Sequence, residues 1–413
     1  MRIANTAAGG SGLRLIDALR SNGFRQLWYA SWAWYHARWM ETMVLGWAVL
    51  VLTDSPWLVS LVGFFRMASM PVLGMVAGIV ADRLDRRRVA IAAQVVNVLS
   101  LSALLALTAA GVAEFWHIAM VTLAMGVAWT FDFPARRSVI TDLVGAPRVA
   151  NAMSLDMAAM NGAKMIGPIV GGVLLTATGL PGAIGALLAL YLVGFVFLVK
   201  TKFPPRQARP ASEPVPAMLS QGFRFVARNQ ALVGVMLVTI VANMFLFPFV
   251  LMVPVFAKDV LHVGPALMGV LAAADGLGSL LGAMYLASRG NAGNPGRVFL
   301  FGTSIAMAMV LAFALSPYYS LSLLILFLEG LAVASFGTMQ STIVLLATPP
   351  EMRGRIMGVL MMAIGAGPVG TLLTGAMAEA WGAPRAIAID AIAALALMGV
   401  VFFLAPVLRR AKA

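Results

Sequence analysis

The chain alternates between long apolar runs and short polar breaks. Twelve runs, at roughly 27–51, 58–81, 89–110, 116–136, 151–178, 182–200, 231–257, 266–288, 298–315, 320–346, 355–379 and 385–405, approach or exceed 20 residues. About 20 residues at 1.5 Å each cross the hydrocarbon core of a bilayer as a helix. The pattern therefore predicts an all-α membrane protein of twelve spans. The polar breaks are of two kinds in strict alternation. One kind is rich in arginine, at 83–88, 136–148, 200–228, 289–297 and 353–355, together with both ends of the chain. The other kind is short and nearly free of Lys and Arg, as at Asp54-Ser55-Pro56 and Ser316-Pro317.

Composition and charge sharpen this picture. The chain has 413 residues, 61% of them hydrophobic and 11% charged, too few charges to coat a soluble protein of this size. A net charge of +13 would point to nucleic acid in a soluble domain. Here the positions explain it. Of 29 Lys and Arg, 24 lie in the first kind of break or at the termini, two (Lys258 and Arg385) in the second kind and three inside spans. The positive-inside rule then places both termini and the arginine-rich loops in the cytoplasm and requires an even number of spans. Nucleic acid is not expected as a partner. The expected partners are a lipid bilayer and a small-molecule substrate, with the protein a monomer. There is no cysteine, so disulfides and thiolate metal sites are excluded. The segment 1–25 is polar and basic without an apolar core, unlike a cleavable signal peptide.

A proline- and arginine-rich stretch divides the spans six and six. The expected organisation is an N-terminal bundle over 1–200, a cytoplasmic linker over 201–229 with a short surface helix at 217–228, and a C-terminal bundle over 230–413. The halves echo each other, since Gly167-Pro168 in the fifth span precedes Gly367-Pro368 in the eleventh by 200 residues. Weak internal symmetry of this kind is a transporter signature.

Three motifs carry a resemblance. Gly78, Asp82, Arg83, Arg86, Arg87 and Arg88 resemble the loop between the second and third helices of the major facilitator superfamily, with Asp85 standing where the pattern has glycine. Gly167, Pro168, Gly171 and Gly172 resemble the antiporter motif of facilitator-type exporters, with Ala163 in place of its upstream glycine. The segments 131–136 and 350–357 are similar to the branch holding enterobactin-type siderophore exporters and macrolide-efflux proteins. The resemblance implies two pseudo-symmetric six-helix bundles in a bacterial cytoplasmic (inner) membrane. It also implies a gate at the cytoplasmic face. Asp82 would meet the start of the eleventh helix near Arg353 and Arg355, and Arg83 or Arg86 would meet Asp132, with Arg136 nearby. An arginine common in the fourth helix of proton-linked members is replaced by Thr122, so another group must carry any proton.

Six ionisable residues fall deep within spans: Arg38, Glu41, Arg66, Lys164, Asp275 and Glu329. Each costs about 2.5–3.5 kcal/mol at mid-bilayer on insertion scales, so each needs a partner or a task. Three are positive and three negative, which predicts mutual compensation. Glu41, Asp275 and Glu329 are the candidate proton carriers. Arg38, Trp39, Arg66, Lys164, Asn243 and Phe247 are the candidates for lining the substrate cavity. Asp390, nearer the outer end of the last span, is expected to be wetted. Three scattered histidines and no metal cluster argue against an enzyme, and no P-loop for ATP is present. The expected function is export of an amphiphilic small molecule, such as a drug or siderophore, against protons by alternating access. No cofactor is expected beyond the proton gradient. An importer or facilitator of the same fold and a lysophospholipid-type flippase are the alternatives.

Overall fold

The computed structural model describes residues 16–83, 85–204, 215–289 and 294–410. Among them no strand occurs, and the chain folds as helices in the order α1 (Asn22–Thr53), α2 (Pro56–Arg83), α3 (Arg86–Ala109), α4 (Phe115–Val144), α5 (Val149–Lys200), α6 (Val215–Arg228), α7 (Gln230–Val241), α8 (Phe249–Asp259), α9 (Pro265–Ser288), α10 (Pro295–Ala314), α11 (Tyr319–Ala347), α12 (Arg353–Ile364), α13 (Gly367–Trp381), α14 (Ala383–Leu404) and α15 (Pro406–Arg410). Ten stretches are long and apolar enough to cross a membrane. One of them, α5, is two spans in one, because Gly179 adopts φ 68° and turns the chain between arms 149–178 and 180–200. Glycine reaches that backbone conformation without a Cβ penalty. With α1, whose apolar pattern is diluted by Arg38 and Glu41, the spans number twelve.

Side chains written into the breaks start the helices. Ser21, Asn229 and Asn294 cap α1, α7 and α10 by accepting backbone N–H bonds. Asp85 does the same for α3, accepting from Arg87 N at 2.8 Å. This accounts for aspartate where the loop motif has glycine. The seventh span is not one regular helix. A π-helical turn, Ala242–Leu246, lies between α7 and α8, and the eleventh span is broken between α12 and α13 ahead of Pro368.

The helices form the two pseudo-symmetric bundles of the major facilitator fold. The contacts of the Gly-Pro spans display the symmetry. Gly171 of the fifth span packs on Met40 and Val44 of α1, and Gly172 packs on the backbone of Pro265 and Gly269 in α9. In the eleventh span, Gly370 packs on Met244 of the seventh span and Gly375 on Ser60 of α2. Each pair of neighbours is the other shifted by six spans. The helix expected at 217–228 begins two residues earlier, at Val215, and is no free surface element. Gly222 of α6 lies against the backbone of Arg355, and Leu219 against Gly358, so α6 is seated on α12.

At the arginine-poor face, side chains tie the two bundles together. Lys258 at the end of α8 pairs with Asp54 after α1. Glu379 of α13 accepts from Ser55 Oγ at 2.8 Å and Trp57 N at 3.1 Å, capping the start of α2.

Candidate transport site: two charge clusters in the membrane interior

The six deep ionisable residues gather into two clusters. The first is built by α1, α2 and the second arm of α5. Glu41 is completely buried. Its Oε1 lies 3.3 Å from Arg66 Nη1 and 4.0 Å from Arg38 Nη1. Its Oε2 accepts from the Tyr191 hydroxyl at 3.0 Å. Arg66 also donates to the Arg38 carbonyl at 2.7 Å, which ties α2 to α1. The Arg38 guanidinium lies 4.8 Å from the centroid of the Trp129 ring, a cation–π distance. Thr122, at the position where related transporters carry an arginine, lines the same pocket as Glu41 and Arg66. Gly126, one turn on, abuts the Arg66 carbonyl.

The second cluster bridges the bundles. Lys164 of the fifth span donates to Asp275 Oδ1 of α9 at 2.9 Å and to Ser279 Oγ at 3.3 Å. Ser279 donates in turn to Asp275 at 3.1 Å. Glu329 of α11 is buried next to Gly330, which abuts the Asp275 backbone, and its Oε2 has no hydrogen-bond partner. Two glycines permit this crowding. A Cβ on Gly276 would fall 2.8 Å from Met165 N, and one on Gly330 would fall 2.1 Å from the Asp275 carbonyl oxygen. Only a hydrogen side chain lets α9 approach the fifth span on one side and α11 on the other. A pocket beside the cluster is lined by Trp39, Lys164, Asp275, Phe249, Ala272 and Leu326. Trp39 also faces Lys164, its ring centroid 5.8 Å from Nζ.

The charges can now be counted cluster by cluster. Arg38, Arg66 and Glu41 sum to one positive charge. Lys164, Asp275 and Glu329 sum to one negative charge, which a single proton on the carboxyl pair removes. Two buried carboxylates on neighbouring helices cannot both stay ionised at low cost.

Other expected residues are placed differently. Asn243 is buried in the π-helical turn and donates to the Thr239 carbonyl at 2.9 Å. Phe247 packs edge-on against Phe336, with ring centroids 5.3 Å apart. Neither lines the pocket beside Lys164. The gating contacts expected of Gly78, Asp82 and Arg83 fall on side chains outside the described set. Arg86 does not reach Asp132. It pairs with Asp142 at 3.0 Å, while Asp132 is completely buried and holds Arg136 one helical turn away at 2.7 Å. Arg353 is exposed, and Arg355 lies beneath α6. Gly167 and Pro168 pack against α1 and α9, so the antiporter-like motif forms the seam on both sides. Asp390 is not wetted. It is 3% exposed and accepts from Thr374 Oγ1 at 2.5 Å, because α13 covers it.

Tyr191, Ser279 and Trp129 escaped the sequence reading. Tyr191 offered a signal as a lone hydroxyl in the apolar run of 182–200. Ser279 lies one turn after Asp275, the spacing of a helical neighbour. Trp129 gave no signal beyond its aromatic type.

Comparison with known proteins agrees with this architecture. The enterobactin exporter EntS of Shigella boydii serotype 4 (strain Sb227) is 28% identical over 315 residues, covering 75% of this chain and 74% of its own. EntS of Escherichia coli O1:K1 gives the same identity and coverage, 28% over 315 residues. Among solved structures, a bacterial homolog of the human lysosomal transporter Spinster, inward-facing and unoccupied, superimposes with a TM-score of 0.70 at 17% identity, covering 97% of each chain. The nucleoside transporter NupG superimposes with a TM-score of 0.71 at 17% identity over 93% of this chain and 99% of that one. The sequence profile of the transmembrane secretion effector family matches residues 16–413. This multi-pass chain therefore belongs to the transmembrane secretion effector family and is a transporter of the major facilitator superfamily.

Proposed function

We propose that the protein exports an amphiphilic small molecule from a bacterial cell in exchange for protons, by alternating access, with both termini cytoplasmic. The observation that carries this reading is the Lys164–Asp275–Glu329 cluster on the seam between the bundles. In its unprotonated form Asp275 holds Lys164 and so fastens α9 to the fifth span. A proton on the carboxyl pair weakens that tie, which lets the bundles rock about the Gly-Pro seam. Substrate enters beside Trp39, in a pocket whose remaining walls are apolar and aromatic and suit an amphiphile. Glu41, fixed by Arg66 and Tyr191, acts as a counter-ion within its bundle, and Asp275 with Glu329 carries the proton. The ties Asp54–Lys258 and Ser55–Glu379 hold the arginine-poor face shut. With the arginine-rich loops cytoplasmic, this is the inward-facing half of the cycle. The name of the EntS relatives, enterobactin exporters, supports the outward direction.

The test is transport in proteoliposomes under an imposed pH gradient. Wild-type protein is expected to move substrate against protons, and Glu329→Gln to lose at least tenfold in gradient-driven rate while purifying normally. Full gradient-driven activity in Glu329→Gln would remove the carboxyl pair as the coupling site.

A further inference from the structure

The first charge cluster, built by α1, α2 and the second arm of α5, carries more cations than carboxylates. Arg38 and Arg66 share one carboxylate, Glu41, whose second oxygen is already taken by Tyr191. Arg66 uses two of its five donors, one on Glu41 and one on the Arg38 carbonyl. The Arg38 guanidinium stands beyond hydrogen-bond distance of Glu41, at 4.0 Å, and no hydrogen bond from it to another described residue is present. Both arginine side chains keep 12% of their surface exposed, while Glu41 keeps none. The accessible surface of the cluster is therefore that of its cations, although Glu41 borders the same pocket as Arg66. A guanidinium carries five donors in a planar fork matched to oxyanions. In a span its charge must be answered by something. The Lys164 cluster cannot supply the answer in its proton-loaded state, because one proton there makes that cluster neutral. Around the arginines the walls are mostly apolar or aromatic, with Trp129 beneath Arg38 and Leu251, Pro254, Val59 and Val62 near Arg66, while Glu41, Thr42 and Thr122 supply the polar part.

We infer that Arg38 and Arg66 form a binding site for the anionic group of the transported amphiphile, a carboxylate, phenolate or phosphate, with Trp129 stacking beside it. The inference rests on the transport reading above but concerns another cluster in the other bundle. Anion and proton thus occupy separate places, and their exchange is conveyed through the seam rather than by direct competition for one group.

The experiment is equilibrium binding, read by intrinsic tryptophan fluorescence, in zwitterionic-lipid nanodiscs without any gradient. The probes are a matched pair, 2-naphthoate and 2-naphthylmethylammonium. Naphthoate is expected to bind at least tenfold more tightly than the ammonium. Arg38→Gln is expected to weaken naphthoate at least tenfold, and Arg38→Lys to retain most of the affinity. Equal or tighter binding of the ammonium overturns the proposal in wild-type protein alone, so a variant that fails to fold does not shield it. Unchanged naphthoate binding in a folded Arg38→Gln also overturns it. Nanodiscs containing phosphatidylglycerol separate the two sources of the anion. Retained naphthoate binding supports a small-molecule cargo, and its loss overturns that assignment in favour of a lipid headgroup. Because no gradient is used, failure of proton-driven export leaves the binding result standing, and the reverse also holds.

Discussion

Single side chains set the polarity of the interior, and their substitution should separate structure from coupling. Glu41→Gln removes the only carboxylate between two guanidiniums. Breaking a buried ion pair costs about 3–5 kcal/mol, so this variant is expected to lose thermal stability, read as a fall in melting temperature of the purified protein. Glu329→Gln is expected to keep its stability and lose coupling, since Glu329 Oε2 has no partner to lose. Thr374→Val strands Asp390 and should cost about 1.5–3 kcal/mol, the worth of a hydrogen bond to a charged acceptor, in the same measurement. The six charges of the two clusters were legible in the sequence, because an ionisable residue in a long apolar run stands out. The sequence did not show how they pair. Arg66 joins Glu41 across 25 positions and Lys164 joins Asp275 across 111, and separations of that kind depend on how whole helices sit. Asp390 was misjudged for the same reason: depth along a span was legible, but the cover supplied by α13 was not.

Helices show which local signals survive packing. The start of α3 was legible as a charged turn, and Asp85 proves to be its cap. A break between the spans 151–178 and 182–200 was expected, and φ 68° at Gly179 makes it a requirement of the backbone. Gly179→Ala places a Cβ in that conformation and is expected to lower stability by about 1 kcal/mol or more, checked by thermal shift. A harsher effect belongs to Gly330→Ala. Its Cβ would meet the Asp275 carbonyl at 2.1 Å and push α11 off α9, separating Glu329 from Asp275. Transport coupled to protons should fall more than tenfold, and a proteoliposome assay beside Glu329→Gln would show whether the two variants share a phenotype. The π-helical turn at Ala242–Leu246 had no signature in the sequence beyond the lone polar Asn243.

Across the whole molecule, the alternating loops, the linker and the repeated Gly-Pro pair were enough to expect two related bundles. The ties at the arginine-poor face were not visible in advance, because Asp54 and Lys258 lie 204 positions apart in otherwise ordinary loops. Exposed ion pairs are worth roughly 0–1 kcal/mol, so Lys258→Ala should barely change stability. It should instead shift the balance of states, seen as faster labelling of a cysteine introduced at Ser60, which lies under Gly375 at the same closed face.

The seating of α6 on α12 also bears on how the polypeptide can be divided. A helix held by Gly222 against Arg355 and by Leu219 against Gly358 travels with the half that follows it. Two separate genes, one ending at residue 204 and one starting at 215, should therefore yield fragments that co-purify when expressed in one cell. Moving the cut past residue 228 would give the helix to the wrong partner and leave α12 bare, and recovery of the pair should fall accordingly.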